Sequence, residues 1–222
     1  MTDPNPSAVP SAFDLDALDF AKQDGLLPAI VQDARTHRVL MLGYMDRAAV
    51  EATLASGRVT FFSRSKQRLW TKGETSGDVL ELVSLQTDCD ADALLVQAIP
   101  HGPTCHLKRC SCFPTAPGSF LGELDTLVRQ RERERPAGSY TTRLFEGGLR
   151  GIAQKVGEEG VETALALVAQ DDAAVLDETA DLVFHALVGL RARGIGLAEL
   201  DMLLEKRHAA SAHDLRAAAA AG

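Results

Sequence analysis

Pro114-Thr115-Ala116-Pro117-Gly118 divides this chain of 222 residues into two parts with different apolar periodicities. Prolines lack the amide hydrogen that helix and sheet need, and glycine adds conformational entropy, so the stretch interrupts any regular element. On its N-terminal side the runs 29–31, 39–44, 59–63, 79–85 and 93–99 are apolar or β-branched and are separated by Asp, Gly or Pro, as strands are. Asp46 is placed to cap a helix over 48–55 that Gly57 ends. Residues 15–114 therefore read as an α+β domain. On the C-terminal side Phe120, Leu124, Leu127 and Val128 recur at helical spacing, and the charged run 129–135 closes that helix on a solvated face. Further helices are predicted over 149–170, 173–193 and 197–210, parted by Asp171-Asp172 and by 194–196. Residues 119–210 read as an all-α bundle, residues 1–14 as a disordered tail, and the alanine-rich 217–221 receives no assignment.

With 45% hydrophobic and 24% charged residues the chain has enough apolar material for real cores. Its 23 Lys and Arg against 31 Asp and Glu give a formal charge of −8, which disfavours nucleic acid and anionic membranes as partners. A phosphate ligand would need metal ions to offset that charge. The longest apolar stretch, 164–169, is far short of the roughly 18 residues of a membrane helix. Residues 1–11 carry Asp3 and three prolines but no apolar segment after a basic start, so a cytoplasmic location is expected. Reduced thiols are then available as ligands, and Cys89, Cys105, Cys110 and Cys112 point to metal rather than to disulfides.

Asp88-Cys89-Asp90-Ala91-Asp92, if extended, sets three carboxylates on one side and a thiol on the other. Carboxylate oxygens suit Mg²⁺ and a thiolate suits Zn²⁺; an acidic surface turn is the alternative. Calcium of the EF-hand type is excluded, since Ala93 and Ile99 stand where that loop needs Gly and Glu. Further on, Cys105 and Cys112 with Cys89 would give three thiolates and an open fourth position, as in catalytic zinc. Recruiting Cys110 or His106 as a fourth ligand would instead make a closed structural site. Trp70-Thr71-Lys72-Gly73-Glu74-Thr75-Ser76-Gly77 has the glycines, hydroxyls and ammonium that can wrap a phosphate, or that make a polar hairpin.

These three motifs, in this order and spacing over 15–113, resemble phosphoribosyl-AMP cyclohydrolase of histidine biosynthesis. The resemblance implies hydrolytic opening of an N1-phosphoribosylated adenine by zinc hydroxide attacking C6. It implies Zn²⁺ on Cys89, Cys105 and Cys112, Mg²⁺ on Asp88, Asp90 and Asp92, and a homodimer with the metal site at its interface. His106 is the candidate proton shuttle, and Arg64, Ser65 and Lys72 are candidates for phosphate or ribose. The chain departs from the pattern at Asp78, commonly Asn, and at Leu107-Lys108, often Thr-Gly.

In the second half Glu158, Glu159 and Glu162 gather along one side of a helix, and Glu178 and Asp181 repeat the spacing on the next. Spacing alone leaves a solvated acidic face as the alternative. The two clusters resemble the EExxE and ExxD pattern of the all-α, MazG-like pyrophosphohydrolases. Lys155 and His185 beside them point to the phosphoribosyl-ATP pyrophosphatase branch over 121–206. Implied are Mg²⁺ on Glu159, Glu162, Glu178 and Asp181, and Glu158 as a supporting ligand or base. Phosphate contacts are implied from Lys155 and Arg143, with His185 in a packing or supporting role. The product of this second-half reaction would be the substrate of the first-half one. The competing readings are a zinc-stabilised scaffold and a general nucleotide pyrophosphatase with an accessory zinc domain.

Overall fold

A computed structural model describes residues 13–220, with side chains through 208. Most of the expected tail, 1–12, and Ala221 lie outside these residues; Phe13 packs against the first core and Asp14 caps a short turn of 3-10 helix. The chain forms two compact units that divide after Ser119. The Pro114–Gly118 stretch belongs to the first, where the Ser119 amide donates to the Thr36 carbonyl at 2.6 Å.

In the first unit β1 (Leu27–Asp33) and β2 (Val39–Met45) form an antiparallel hairpin. The helix α1 (Arg47–Ser56) follows, then a second hairpin of β3 (Thr60–Ser63) and β4 (Arg68–Thr71). A third hairpin, β5 (Val79–Thr87) with β6 (Leu94–His101), completes a four-stranded sheet in the order β2-β1-β6-β5, with β1 and β6 parallel. Alternation does the sorting: Leu27, Ala29 and Val31 of β1 and Leu94, Val96 and Ala98 of β6 are buried on one face. Asp46 caps α1 by accepting from the Ala49 amide at 2.7 Å, and Gly57 ends it in the left-handed region, both as predicted. Strand β4 escaped the sequence reading because its Arg68 and Leu69 are exposed and no alternation marks it.

The second unit is helical: α2 (Phe120–Glu134), α3 (Tyr140–Glu146), α4 (Gly148–Ala169), α5 (Asp172–Ala192) and α6 (Leu197–Ala220). Helix α3, with seven residues and Ser139 as its cap, is too short to show a period. Asp171 caps α5, accepting from the Ala174 amide at 3.0 Å. Helices α4 and α5 lie antiparallel: Ile152 meets Gly189, Gly160 meets Leu182, and the buried Thr163 hydroxyl reaches the Glu178 carbonyl at 3.1 Å. The core beneath them is small, built on Val128, Phe145, Ile152 and Val188. Among the described residues no helix is long and apolar enough to cross a membrane.

Gly43 of β2 is needed for space, since a Cβ there would overlap the ring of the buried Phe61. Gly43→Ala is expected to destabilise the first unit by about 1–3 kcal/mol, and by less in a Phe61→Leu background. Urea unfolding followed through Trp70, the one tryptophan of the chain, which stacks on Phe61 at 5.6 Å, measures it. Equal costs in both backgrounds would rule out this contact.

Candidate functional sites

The loops leaving β4 and β6 enclose a cavity of about 450 Å³ lined by Trp70, Lys72, Asp78, Cys105, His106, Lys108 and Cys112, among others. Each wall has a local cause. After β4 the chain turns tightly at Gly73, and the buried Lys72 donates its ammonium to the Asp78 carbonyl at 3.0 Å, closing the 72–78 loop. After β6 the Lys108 amide returns to the Cys105 carbonyl at 2.9 Å, and the Leu107 amide points at the Cys105 sulfur at 3.5 Å. The next residues are fastened to β2: Ser111 donates to the Val39 carbonyl at 2.7 Å and the Cys112 amide to Leu40 at 2.8 Å.

That docking sets Cys112 beside Cys105. Local desolvation, then the neighbouring Cys105, pushes the Cys112 thiol up, as expected for two thiols sharing a place. His106 lies exposed at the cavity with Nδ1 4.0 Å from the Cys105 sulfur. Cys110 is exposed and does not line the cavity. Arg64 and Ser65 also lie off it, on the β3–β4 turn, where the Arg64 guanidinium covers the Tyr44 ring at 3.8 Å.

The acidic segment is not extended. Residues 88–93 form the turn between β5 and β6, with Ala91 at φ 59°, and the carboxylates converge because the chain reverses. One ligand oxygen from each of Asp88, Asp90 and Asp92 falls within 4.8 Å of the others. The Lys22 ammonium stands in for a cation there, paired with Asp90 and, at 2.7 Å, with Asp92. Its hydrogen bonds hold both carboxyls below the usual range and raise its own pKa. The turn thus fits a hard cation. Sequence gave no sign of Lys22, which arrives from a 3-10 turn at 21–23.

Cys89 sits on this turn, at the Thr87/Leu94 end of the hairpin, whereas the cavity lies past the Val79/His101 end. At about 3.3 Å per residue those ends are roughly 23 Å apart. Among the described residues the three thiols form no cluster within one chain.

In the second unit α4 and α5 bring oxygens of Glu159, Glu162 and Glu178 within 4.8 Å of one another. Local desolvation, then the charges of Glu162, Glu159, Asp181 and Asp177, push the Glu178 carboxyl up. That state suits a divalent cation. Asp181 stands outside the group of three, although its charge is felt by Glu178. Glu159 is buried at 5% exposure. Lys155 reaches Glu158 at 2.9 Å and Glu159 at 3.5 Å, which pushes its ammonium up to about 12 and holds Glu158 low. Arg143 bonds the Gly138 carbonyl at 3.3 Å and lies 5.6 Å from the centre of the Tyr140 ring.

Residues 41–114 match the phosphoribosyl-AMP cyclohydrolase family, and residues 121–210 match the phosphoribosyl-ATP pyrophosphohydrolase family. The histidine biosynthesis bifunctional protein HisIE of Xanthomonas campestris pv. campestris is 70% identical over 194 residues, covering 87% of this chain and 94% of its own. The protein of the same name from Xylella fastidiosa (strain Temecula1) is 70% identical over 86% of this chain and 93% of its own. That from Escherichia coli (strain K12) is 52% identical over 86% and 95%.

A carboxyl whose folded pKa is raised destabilises the fold once ionised, so stability falls as pH rises through that value. Without metal at pH 8, Glu178→Gln is therefore expected to melt a few degrees higher than wild type, whereas millimolar Mg²⁺ raises only the wild-type transition. Thermal melts with and without Mg²⁺ check this; identical responses of the two proteins would reduce the cluster to a solvated acidic face.

Proposed function

Because this chain belongs to the bifunctional histidine-biosynthesis family that joins a phosphoribosyl-AMP cyclohydrolase to a phosphoribosyl-ATP pyrophosphohydrolase, we propose that its two units catalyse the two hydrolyses in succession. The MazG-like helical unit cuts phosphoribosyl-ATP between its α and β phosphates, and the α+β unit opens the adenine ring of the resulting phosphoribosyl-AMP. The observation that carries this assignment is the segregation of donor chemistry: paired soft thiols at a cavity in one unit, converging hard carboxylates across a helix pair in the other.

The chemistry a zinc ion supplies on such thiolates is acidification of a water, and that of magnesium on such carboxylates is neutralisation of charge on departing pyrophosphate. Glu159, Glu162 and Glu178, with Asp181 alongside, are the Mg²⁺ ligands of the helical unit. Glu158, kept ionised by Lys155, accepts the proton of the attacking water, while Lys155 and Arg143 hold phosphates. In the other unit Cys105 and Cys112 hold Zn²⁺ and Asp88, Asp90 and Asp92 hold Mg²⁺. His106 carries the proton to the ring nitrogen that leaves. Lys72, fixed on the Asp78 carbonyl, shapes the phosphate- and ribose-binding loop, and Arg64 and Ser65 approach from the neighbouring turn.

The third thiolate comes from Cys89 of a second copy, since the hairpin carries that residue away from its own cavity. Exposed apolar surface supports a homodimer. Ile30 and Leu42 pair across the outer face of the sheet, and Val161, Leu165 and Val168 line one side of α4. A cytoplasmic location, where thiols stay reduced, suits these ligands.

With phosphoribosyl-ATP and both metals, wild type is expected to release pyrophosphate and the ring-opened imidazole carboxamide product. Cys105→Ala should stop at phosphoribosyl-AMP, and Glu159→Ala should release no pyrophosphate, each loss exceeding about 100-fold as for removal of a metal ligand. Mixing inactive Cys89→Ala with inactive Cys105→Ala chains is expected to restore part of the ring-opening activity, because mixed dimers rebuild one complete site. A wild type that makes neither product leaves a zinc-stabilised scaffold; mixtures that stay inactive would place all three thiols in one chain.

A further inference from the structure

We infer that Tyr140 is a positioning residue for the acidic site, its hydroxyl holding the ring of His185 in place and, through it, the carboxylate of Glu159. The inference rests on the reading of Glu159 as a metal ligand.

His185, on α5, is buried at 3% exposure between two partners. Its Nδ1 lies 2.9 Å from the Asp181 carbonyl one turn earlier, and its Nε2 lies 2.8 Å from the Tyr140 hydroxyl on α3. A carbonyl only accepts, so Nδ1 carries the hydrogen of the neutral ring. Nε2 then presents a lone pair, and the Tyr140 hydroxyl must donate to it. The same Nδ1 lies 3.5 Å from Oε1 of Glu159, so the nitrogen that carries the hydrogen has a carboxylate beside it as well as the carbonyl. The opposite tautomer would turn a lone pair toward two acceptors in a buried place, where an unmatched polar contact is costly. The Asp181 carbonyl and the Glu159 carboxylate therefore set the tautomer, and the Tyr140 hydroxyl holds the ring that presents it.

Packing makes the arrangement stiff. The His185 ring meets Phe184 edge-on at 5.2 Å and Tyr140 edge-on at 5.9 Å, and Tyr140 stacks on Phe184 at 6.1 Å. Ser139 caps α3 and so fixes the first turn, from which Tyr140 reaches α5. On the other side of Glu159, Lys155 approaches the same Oε1 at 3.5 Å. Oε1 of Glu159 therefore lies 3.5 Å from both Lys155 and His185 while the carboxylate joins Glu162 and Glu178. Partners that orient a metal ligand in this way matter nearly as much as the ligand itself.

The test is Tyr140→Phe, which keeps the half-exposed ring and its stacking and removes only the hydroxyl. Calorimetric titration with Mn²⁺ is expected to show binding to the acidic site weakened about tenfold, the lower end of the range for such partners. The Mg²⁺ concentration for half-maximal pyrophosphate release should rise by the same factor, with kcat at saturating Mg²⁺ close to wild type. Long-range ¹H–¹⁵N spectra should show His185 protonated at Nδ1 in both proteins, with the Nε2 resonance shifted in the variant by loss of the Tyr140 hydrogen bond. Ring opening by the same chain should be unchanged, which reports intact folding. Unchanged Mn²⁺ binding and an unchanged His185 Nε2 resonance would overturn the inference while Glu159→Gln still loses metal. If Glu159→Gln also binds Mn²⁺ like wild type, the acidic-site reading itself fails and takes the inference with it.

Discussion

Repulsion between like charges governs how both units are built. Each gathers three carboxylates whose oxygens come within 4.8 Å of one another, an arrangement that opposes folding unless a cation is near. The chain supplies tethered cations. Lys22 reaches over from the 3-10 turn to Asp90 and Asp92, and Lys155 sits one turn before Glu158 and Glu159 on the same helix. Neither lysine meets the whole cluster. At α4–α5 the residue is legible in Glu178, whose carboxyl is pushed up by local desolvation and by four acidic neighbours. The fold is stable enough to hold the acids together and leaves a deficit of positive charge for a divalent ion to fill.

The same logic explains the two departures from the cyclohydrolase pattern. Asp78 and Lys108 lie on different loops, yet their side chains meet at 3.3 Å on the rim of the cavity. Lys108, and the hydroxyl of Ser76, hold the Asp78 carboxyl low, with Lys108 first. Lys108 also adopts φ 60°, a conformation that glycine takes freely and a lysine takes at a cost. A negative charge on one loop and a positive charge on the other are therefore a matched pair, and the ion pair offsets part of the backbone cost.

Much of this was legible in the sequence, for identifiable reasons. Helices α4 and α5 are long and periodic, so Glu159, Glu162 and Glu178 could be placed on successive helices from spacing alone. Cys105 and Cys112 lie close in sequence and on one fastened loop, and proximity along the chain became proximity in space. Cys89 broke that rule, because a hairpin of two long strands converts a short sequence separation into opposite ends of a sheet. Extended geometry was also the wrong basis for Asp88, Asp90 and Asp92: the left-handed Ala91 makes a turn of the segment, which brings the carboxylates together all the same. Lys22 and Tyr140 left no sequence signal, since each meets its partners across more than forty positions and neither belongs to a motif.

The two sites also differ in what must assemble before they exist. The converging carboxylates of the helical unit come from one helix hairpin, held in register by Thr163 between the Glu159 and Glu178 carbonyls, so folding of a single chain brings them together. Folding of the α+β unit alone completes a cavity with two thiols and leaves Cys89 and the acidic turn at the far end of the β5–β6 hairpin. On the reading proposed above, the first hydrolysis belongs to the folded chain and the second to the dimer. On that reading the reaction that consumes the intermediate is the one that depends on association, and the exposed apolar faces of the sheet and of α4 would supply its driving force.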